Sequence, residues 1–137
     1  MIKKSPWIFH LNAGGCNGCD IELISCITPG FDIERLGCVL KASPRHADII
    51  IVSGIVTKQV KERLIRIYNQ TPKRKIVIAI GACAISGGFF TNAYNNAGPV
   101  DKIIPVDIYI PGCPPRPQAI IDGIKKALEM LKNERTR

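Results

Sequence analysis

The chain alternates short apolar runs with stretches in which apolar residues recur every three or four positions. Five of the runs predict strands. The third run is almost wholly apolar, which is typical of a strand buried on both faces of a parallel sheet. The predicted strands are WIFHL (7–11), ERLGCVL (34–40), ADIIIVSG (47–54), KIVIAIGAC (75–83) and VDIYIPGC (106–113).

Three amphipathic stretches predict helices. The first lies between Cys19 and Pro29, with Ile21, Ile24 and Ser25 on one side. The second is expected at 58–69 and the third from PPRP to about Lys132, with apolar stripes at Val60, Leu64, Ile67 and Tyr68, and at Ile120, Ile124, Leu128 and Leu131.

Strands and helices alternate along the chain, and this order is typical of an α/β domain with a mostly parallel sheet flanked by helices. Residues 1–137 contain no internal repeat and no low-complexity linker, so we expect one domain. One long irregular stretch, 86–105, interrupts the pattern. A loop of that length within a compact domain is usually functional.

The composition allows a sizeable core, because hydrophobic residues make up 46% of the 137 residues. Two lysines precede only a short apolar run at the start, so we expect no signal peptide. The longest apolar stretches fall short of the roughly 20 residues that a membrane span needs. Six cysteines are too few for a disulfide scaffold. We therefore expect a soluble cytoplasmic protein, in which clustered cysteines are metal ligands or catalytic groups.

The formal net charge is +8, and much of it lies in 58–75 and in the C-terminal tail. A basic surface permits binding to nucleic acid, to an acidic protein or to anionic lipid headgroups, and a solvated helix face explains it equally well. Aromatic residues make up only 6% and do not interleave with the basic residues. Because base stacking needs such aromatic residues, we expect no nucleic-acid partner.

Four cysteines follow three of the predicted strands. Cys16 and Cys19 lie in the segment GGCNGC after the first strand. Cys83 comes after KIVIAIG at the end of the fourth predicted strand, and Cys113 comes after VDIYIPG at the end of the fifth. The carboxyl ends of parallel strands lie at one edge of a sheet, where ligands bind, so four thiols can meet there. The adjacent glycines let the backbone turn tightly and approach a bulky inorganic group.

Four thiolates suit either zinc or an iron–sulfur cluster. Structural zinc sites usually combine two short paired motifs, whereas here one pair joins two distant cysteines. Cys113 also precedes a proline, as in ferredoxin-type motifs, which favours a [4Fe–4S] cluster. The CNGC pair, taken alone, fits a thioredoxin-like redox site equally well. Cys26, Cys38 and His10 are interpreted as core residues.

Four further residues are candidates for the surroundings of the site. Glu22 is either a helix-start acid, expected in the first turn and favoured by the helix dipole, or a group that moves protons near a cluster. Arg45 and Arg116 lie in loops, where they are either solvated or face an anionic cluster. His46 has polar neighbours and either faces the site or lies on the loop surface.

Four segments, GGCNGCDIE, SPRHADIIIVSG, GACAISGGFF and VDIYIPGCPPRPQAIIDGI, together resemble the small, cluster-bearing subunit of energy-converting, membrane-bound [NiFe] hydrogenases. That family is similar to the subunit of respiratory complex I that holds its terminal cluster. The resemblance extends from about Asn12 to Leu131. The complex I subunit has adjacent cysteines at the first motif, whereas Asn17 and Gly18 separate them here, as in the hydrogenases.

The resemblance implies a flavodoxin-like fold with one [4Fe–4S] cluster at the carboxyl ends of the strands, bound by Cys16, Cys19, Cys83 and Cys113. It implies that electrons from ferredoxin arrive through a partner polyferredoxin subunit and continue to the Ni–Fe centre of a partner large subunit, where protons are reduced to H2. Integral membrane subunits would couple this reaction to ion translocation, with the chain bound peripherally at the cytoplasmic side of the membrane. The chain has no second C-x-x-C to hold nickel, so its expected role is non-catalytic.

Two alternatives remain open from the sequence. Related membrane complexes that reduce sulfur compounds or a quinone share this subunit. The sequence therefore leaves the final electron acceptor open. An alternative of a different class is a zinc-stabilised module that binds a partner through its basic face. Colour distinguishes the two classes, because iron–sulfur proteins are brown and zinc proteins are colourless.

Overall fold

The computed structural model describes residues 6–73 and 75–135, except for the side chains of Phe89, Glu134 and Arg135. Within that part of the chain, no helix is both long enough and apolar enough to cross a membrane. The strands are β1 (Trp7–Gly14), β2 (Val39–Leu40), β3 (Ile49–Gly54), β4 (Ile76–Ile80) and β5 (Ile108–Ile110). The α-helices are α1 (Gly18–Ser25), α2 (Lys58–Gln70), α3 (Gly81–Ser86) and α4 (Pro117–Arg135).

The strands form one sheet in the order β2-β1-β3-β4-β5, and every neighbouring pair is parallel. Every residue of β3 and β4 is buried, because helices cover both faces of the sheet. This strand order is that of flavodoxin-like folds, so the predicted α/β fold with a parallel sheet is confirmed. In such a sheet the connections diverge at the β1–β3 boundary, and a crevice opens beyond the carboxyl ends of these strands.

Two apolar layers hold the helices against the sheet. Ile49 and Ile51 of β3 face α1 and α4, whereas Ile50 and Val52 face α2 and α3. Successive residues of a strand point to opposite faces, so the continuous apolar run of β3 serves both layers. The helix residues buried in these layers include Leu23, Leu64, Ala84, Ile120 and Ile124.

The predicted strand at 34–40 is largely wrong. Ile33–Leu36 is a 3-10 turn, and Gly37 follows it with a left-handed φ of 84°. Only the two residues of β2 pair with β1. Ile33, just before this segment, and Cys38 within it are buried in the core. A short buried run does not by itself distinguish a packed turn from a strand.

The fourth predicted strand ends earlier than expected, at Ile80. Gly81, with a φ of 84°, turns the chain directly into α3, so Cys83 lies in a helix and not in the predicted turn. The fifth strand is confined to Ile108–Ile110, whereas the first extends beyond its predicted end to Gly14. The strands were therefore recognised by their apolar runs, but their ends were set by backbone turns.

Helix α1 buries a different face from the one on which its apolar stripe was noted. Leu23 and Cys26 are buried, whereas Ile21 and Ile24 are 61% and 59% exposed. Two large apolar side chains are thus left open to solvent on a helix that begins beside the first two cysteines.

The irregular stretch 86–105 contains two 3-10 turns, Gly88–Phe90 and Val100–Lys102. An isolated bridge between Thr57 and Asn96 joins it to the start of α2. The stretch is therefore tied to the rest of the fold, although it contributes no strand of the sheet.

Candidate metal centre

A pocket of about 120 Å³ lies beyond the carboxyl ends of the strands, and Cys16, Cys19, Cys83 and Cys113 all line it. Cys16 and Cys113 are exposed, and the other two are partly buried; all four are free thiols. The volume is well above the roughly 10–15 Å³ at which a cavity first admits a water molecule. Among the described residues, no three His, Cys, Asp or Glu side chains are close enough together to hold one metal ion.

The first two thiols are carried by a tight turn between β1 and α1. Asn17 has a left-handed φ of 72° and precedes α1, which places Cys19 in the first turn of that helix. The end of β3 approaches this turn so closely that a Cβ on Gly54 would lie 2.2 Å from the backbone nitrogen of Gly15. Because the φ of Gly54 is also positive, at 81°, only glycine fits this position without a shift of the backbone.

The other two thiols lie on the far side of the pocket. Cys83 is in the first turn of α3, and Cys113 is in the loop between β5 and α4, where the Cys113–Pro114 peptide bond is cis. The backbone nitrogen of Ala82 donates a hydrogen bond to the carbonyl oxygen of Gly112 at 2.8 Å. This bond joins the start of α3 to the loop after β5, one residue before each cysteine.

Asp20, which follows Cys19, is the centre of a polar network in the pocket wall. Its Oδ1 accepts a hydrogen bond from the Oγ of Ser53 at 2.7 Å and lies 2.9 Å from the Nε2 of His10. Its Oδ2 accepts a hydrogen bond from the Nδ2 of Asn12. His10 is therefore hydrogen-bonded, but it lies beside the pocket and is not the core residue that its apolar strand suggested.

Sequence reasoning missed three members of this network, Asn12, Asp20 and Ser53. Asn12 precedes a Gly-Gly turn, and asparagine side chains commonly bond the backbone just ahead of them in such turns. Asp20 adjoins a candidate ligand. These two sequence features could have drawn attention to Asn12 and Asp20. Neither feature indicates that side chains from β1 and β3 contact the carboxylate of Asp20 on α1.

The pocket raises the pKa of two of its thiols, those of Cys19 and Cys83. The pKa of Cys19 rises to about 11, chiefly through burial, then through the proximity of Cys83, Cys16, Asp20 and Cys113. The pKa of Cys83 is also raised, first by burial and then by Cys113 and Cys16. The thiolates of Cys19 and Cys83 are thus disfavoured by burial and by their neighbours, and a cationic group among the sulfurs would favour them. The donor set fits thiolate-bound iron in this respect.

Two of the four outer candidates lie away from the pocket. Arg45 and His46 belong to a 3-10 turn that precedes β3, and the ring of His46 packs against Trp7 at the start of β1, with ring centroids 5.6 Å apart. A loop before a parallel strand lies at the opposite edge of the sheet from a loop after it. The hypothesis that these two residues face the site is therefore wrong, and both are exposed loop residues.

Arg116 and Glu22 are close to the cysteines in sequence but are not among the residues that line the pocket. Arg116 is exposed and directly precedes α4. The sequence predicts Glu22 in the first turn of α1. It lies in the second turn instead, because the helix already begins at Gly18. Asp20 is the acid of the first turn.

Cys26 and Cys38 are core residues, as predicted, with 0% exposure for both. The thiol of Cys26 donates to the carbonyl oxygens of Glu22 at 3.4 Å and Pro117 at 3.5 Å. Burial raises the pKa of each thiol to about 11, with a smaller contribution from Glu22 at Cys26. The six cysteines therefore divide into four at the pocket and two in the core.

Comparison with known proteins gives matches over nearly the whole chain. A probable membrane-bound hydrogenase subunit, mbhJ, of Pyrococcus furiosus is 57% identical over 95% of this chain and 78% of that protein. The chloroplastic NAD(P)H-quinone oxidoreductase subunit K of Illicium oligandrum is 50% identical over 88% of this chain, which spans only 54% of that longer protein. Among solved structures, the membrane-bound sulfane sulfur reductase, an archaeal respiratory membrane complex, contains a chain with 45% identity and a TM-score of 0.83. That match covers 96% of this chain and 72% of the other.

These relatives are subunits of oxidoreductase complexes of the hydrogenase and complex I-like kinds, so the resemblance drawn from the four sequence segments is confirmed. Residues 16–127 match the family described as NADH ubiquinone oxidoreductase, 20 Kd subunit. The matched region includes all four cysteines of the pocket. The chain therefore belongs to the family of NADH ubiquinone oxidoreductase 20 Kd subunits.

Proposed function

We propose that this chain is a non-catalytic electron-transfer subunit that carries one [4Fe–4S] cluster on Cys16, Cys19, Cys83 and Cys113. The observation that carries the proposal is the division of the cysteines. Four thiols from three separate segments, each following a strand, line one pocket, whereas the other two cysteines are fully buried in the core. A disulfide between the two cysteines of CNGC would leave the arrival of two distant thiols at the same pocket without an explanation.

A bound [4Fe–4S] cluster would supply a one-electron carrier whose potential depends on hydrogen bonds, charge and solvent exposure. The chain's own part is to gather the thiols and release their protons. Because the pKa values of Cys19 and Cys83 are raised, both thiols are protonated in the metal-free chain at neutral pH. Loading therefore releases protons.

The proposed electron path runs from a ferredoxin-like subunit to the Ni–Fe site of a partner large subunit, where H2 is formed, with ion-translocating membrane subunits in the same complex. The 57% identity with a probable membrane-bound hydrogenase subunit supports this acceptor, as does the Asn-Gly pair between the first two cysteines. The chain would lie peripherally, at the cytoplasmic side of the membrane.

A second candidate is the equivalent subunit of a complex that reduces a quinone or a sulfur compound. It is supported by the 50% identity with the NAD(P)H-quinone oxidoreductase subunit K and by the TM-score of 0.83 with a chain of the sulfane sulfur reductase. The partner distinguishes the two. A co-purifying large subunit with two C-x-x-C pairs and bound nickel would identify a hydrogenase, whereas a partner without nickel would identify the second candidate.

The cluster assignment is tested by anaerobic purification of the full chain with serine at each pocket cysteine, or alanine at each core cysteine, in turn. We expect roughly four iron atoms per natural chain and a brown colour. Replacement of any of the four pocket cysteines should lower the iron content, whereas Cys26→Ala and Cys38→Ala should retain it if the chain remains folded by circular dichroism. Full iron retention in Cys83→Ser or Cys113→Ser would refute the ligand set, and a colourless zinc protein would refute the cluster.

A further inference from the structure

The wall of the pocket contains a connected set of polar side chains that are not candidate ligands. From this set we infer that Asp20 is a positioning residue, which fastens the turn bearing Cys16 and Cys19 to the sheet and so holds both thiols in place before metal arrives. The inference rests on the proposed function, because it concerns how this chain prepares its site for the cluster.

Asp20 is joined to two different strands. Its Oδ1 accepts from the Oγ of Ser53, on β3, at 2.7 Å. His10, on β1, places its Nε2 2.9 Å from the same Oδ1 and 3.0 Å from the Oγ of Ser53. Ser53 is only 1% exposed, so its hydroxyl has little access to water as an alternative partner. The carboxylate therefore ties the first turn of α1 to the carboxyl ends of two neighbouring strands.

Asn12 extends this connection to the other side of the turn. Its Oδ1 accepts hydrogen bonds from the backbone nitrogens of Gly14 at 3.0 Å and Gly15 at 2.6 Å. Its Nδ2 donates to the Oδ2 of Asp20. The segment that bears Cys16 and Cys19 is thus held at both ends, by Asn12 on the residue before Cys16 and by Asp20 on the residue after Cys19.

No side chain caps the amino end of α1, because Asn17 makes no capping hydrogen bond to that helix. Asp20 lies in the first turn of α1, so its contacts with Ser53 and His10 tie that turn to the sheet. The three side-chain contacts of Asp20, to Ser53, His10 and Asn12, are all made to residues outside α1.

The first test compares the full-length natural chain with Asp20→Ala, Asp20→Asn, Asn12→Ala and the double Asn12→Ala/Asp20→Ala variant. The measurement is the rate of iron loss to a chelator under anaerobic conditions. We expect loss to be about tenfold faster or more in each alanine variant, the scale of one hydrogen bond to a charged group. The double variant should be no worse than the worse single variant, because the two changes break one connection.

Asp20→Asn separates geometry from charge. The amide oxygen can still accept from Ser53, so this variant should lose iron at a rate much closer to that of the natural chain than Asp20→Ala does. Equal rates for Asn and Ala would overturn the positioning role in favour of charge, and natural rates in all variants would overturn it altogether. Asp101→Ala, at an exposed carboxylate in the Val100–Lys102 turn, is the matched control and should not change the rate.

The second test does not depend on iron. Hydrogen exchange of the Gly14 and Gly15 amides is measured in the metal-free chain, with the buried amides of β3 as the check on folding. We expect at least about tenfold faster exchange at these two amides in Asp20→Ala, and unchanged exchange in β3. Unchanged exchange at Gly14 and Gly15 would refute the inference. A natural chain that binds no iron, yet shows the expected exchange, would refute only the proposed function.

Discussion

Gly81 and Cys19 face each other so closely that a Cβ on Gly81 would lie 2.6 Å from the Sγ of Cys19. Gly81 also has a φ of 84°, the left-handed region in which other residues are strained. Residue 81 must therefore be a glycine for two reasons. Its backbone angle turns the chain from β4 into α3, and its lack of a Cβ leaves room for the Cys19 thiol.

We expect Gly81→Ala to impair the site and the fold together. The left-handed backbone costs a non-glycine residue about 1–2 kcal/mol, and the added carbon must displace the Cys19 sulfur. Iron per chain and the midpoint of thermal unfolding should both fall. Gly30→Ala is the matched control, because a Cβ there would meet nothing within 4 Å. Normal iron content in Gly81→Ala would show that the pocket tolerates this contact.

Thiol alkylation of the metal-free chain should separate the two groups of cysteines. Cys16 and Cys113 are exposed and should react first. Cys26 and Cys38 should react only after unfolding, since they are 0% exposed and have pKa values of about 11. At pH 8 such a pKa leaves roughly one thiol in a thousand ionised. Mass spectrometry of digested samples gives the order, and early labelling of Cys38 would contradict the assignment to the core.

The stability of the chain should depend on His10 below neutral pH. Burial lowers the pKa of His10 below 6.5, and the proximity of Asp20 only partly opposes this. As the pH falls below 6.5, the unfolded chain takes up a proton at this residue before the folded chain does. The free energy of unfolding therefore decreases until the pH reaches the lower, folded pKa, by at most about 1.4 kcal/mol per pH unit.

Urea unfolding between pH 7 and pH 5.5 measures this slope. His10→Gln should flatten it, and His46→Gln, at the exposed histidine beside Trp7, should not. A slope that is unchanged in His10→Gln would mean that the loss of stability arises from other groups, such as the carboxylates.

The exposed apolar face of α1 gives a prediction about assembly. Ile24 is 59% exposed on α1, the helix that carries Cys19, and the proposed function requires a partner subunit near the pocket. Ile24→Lys should leave the chain folded and lower its recovery with the large subunit in co-purification. Ile65→Lys, on α2 and 37% exposed, is the control on another helix and should have little effect. Equal recovery of both variants would place the partner elsewhere.

The sequence pattern was sufficient where one physical effect dominates. Buried parallel strands need apolar side chains on both faces, so 47–54 and the core of 75–83 were recognisable as strands. The four pocket cysteines followed from the rule that loops after parallel strands share one edge of the sheet. The same rule, applied to the loop before β3, would have excluded Arg45 and His46 from the site.

Other features depend on contacts that no local pattern contains. The spacing of Ile21 and Ile24 indicates a helix, but it does not say whether this chain or another one covers them. The φ of Gly81 decides that Cys83 lies in a helix, and apolar periodicity carries no information about that angle. Asp20 acquires its role only through residues from two other elements, which are distant in sequence and belong to no motif.

The scattered origin of the four pocket thiols has a consequence for biosynthesis. A chain emerging from the ribosome presents Cys16 and Cys19 early, but Cys113 follows β5, which comes after the other described strands in sequence and lies at an edge of the described sheet. All four thiols are therefore present only after β5 has been made and has paired with β4. Because metal affinity is linked to folding, the proposed cluster would bind only after Cys113 has been made, and chains that end before this residue would lack one of its ligands.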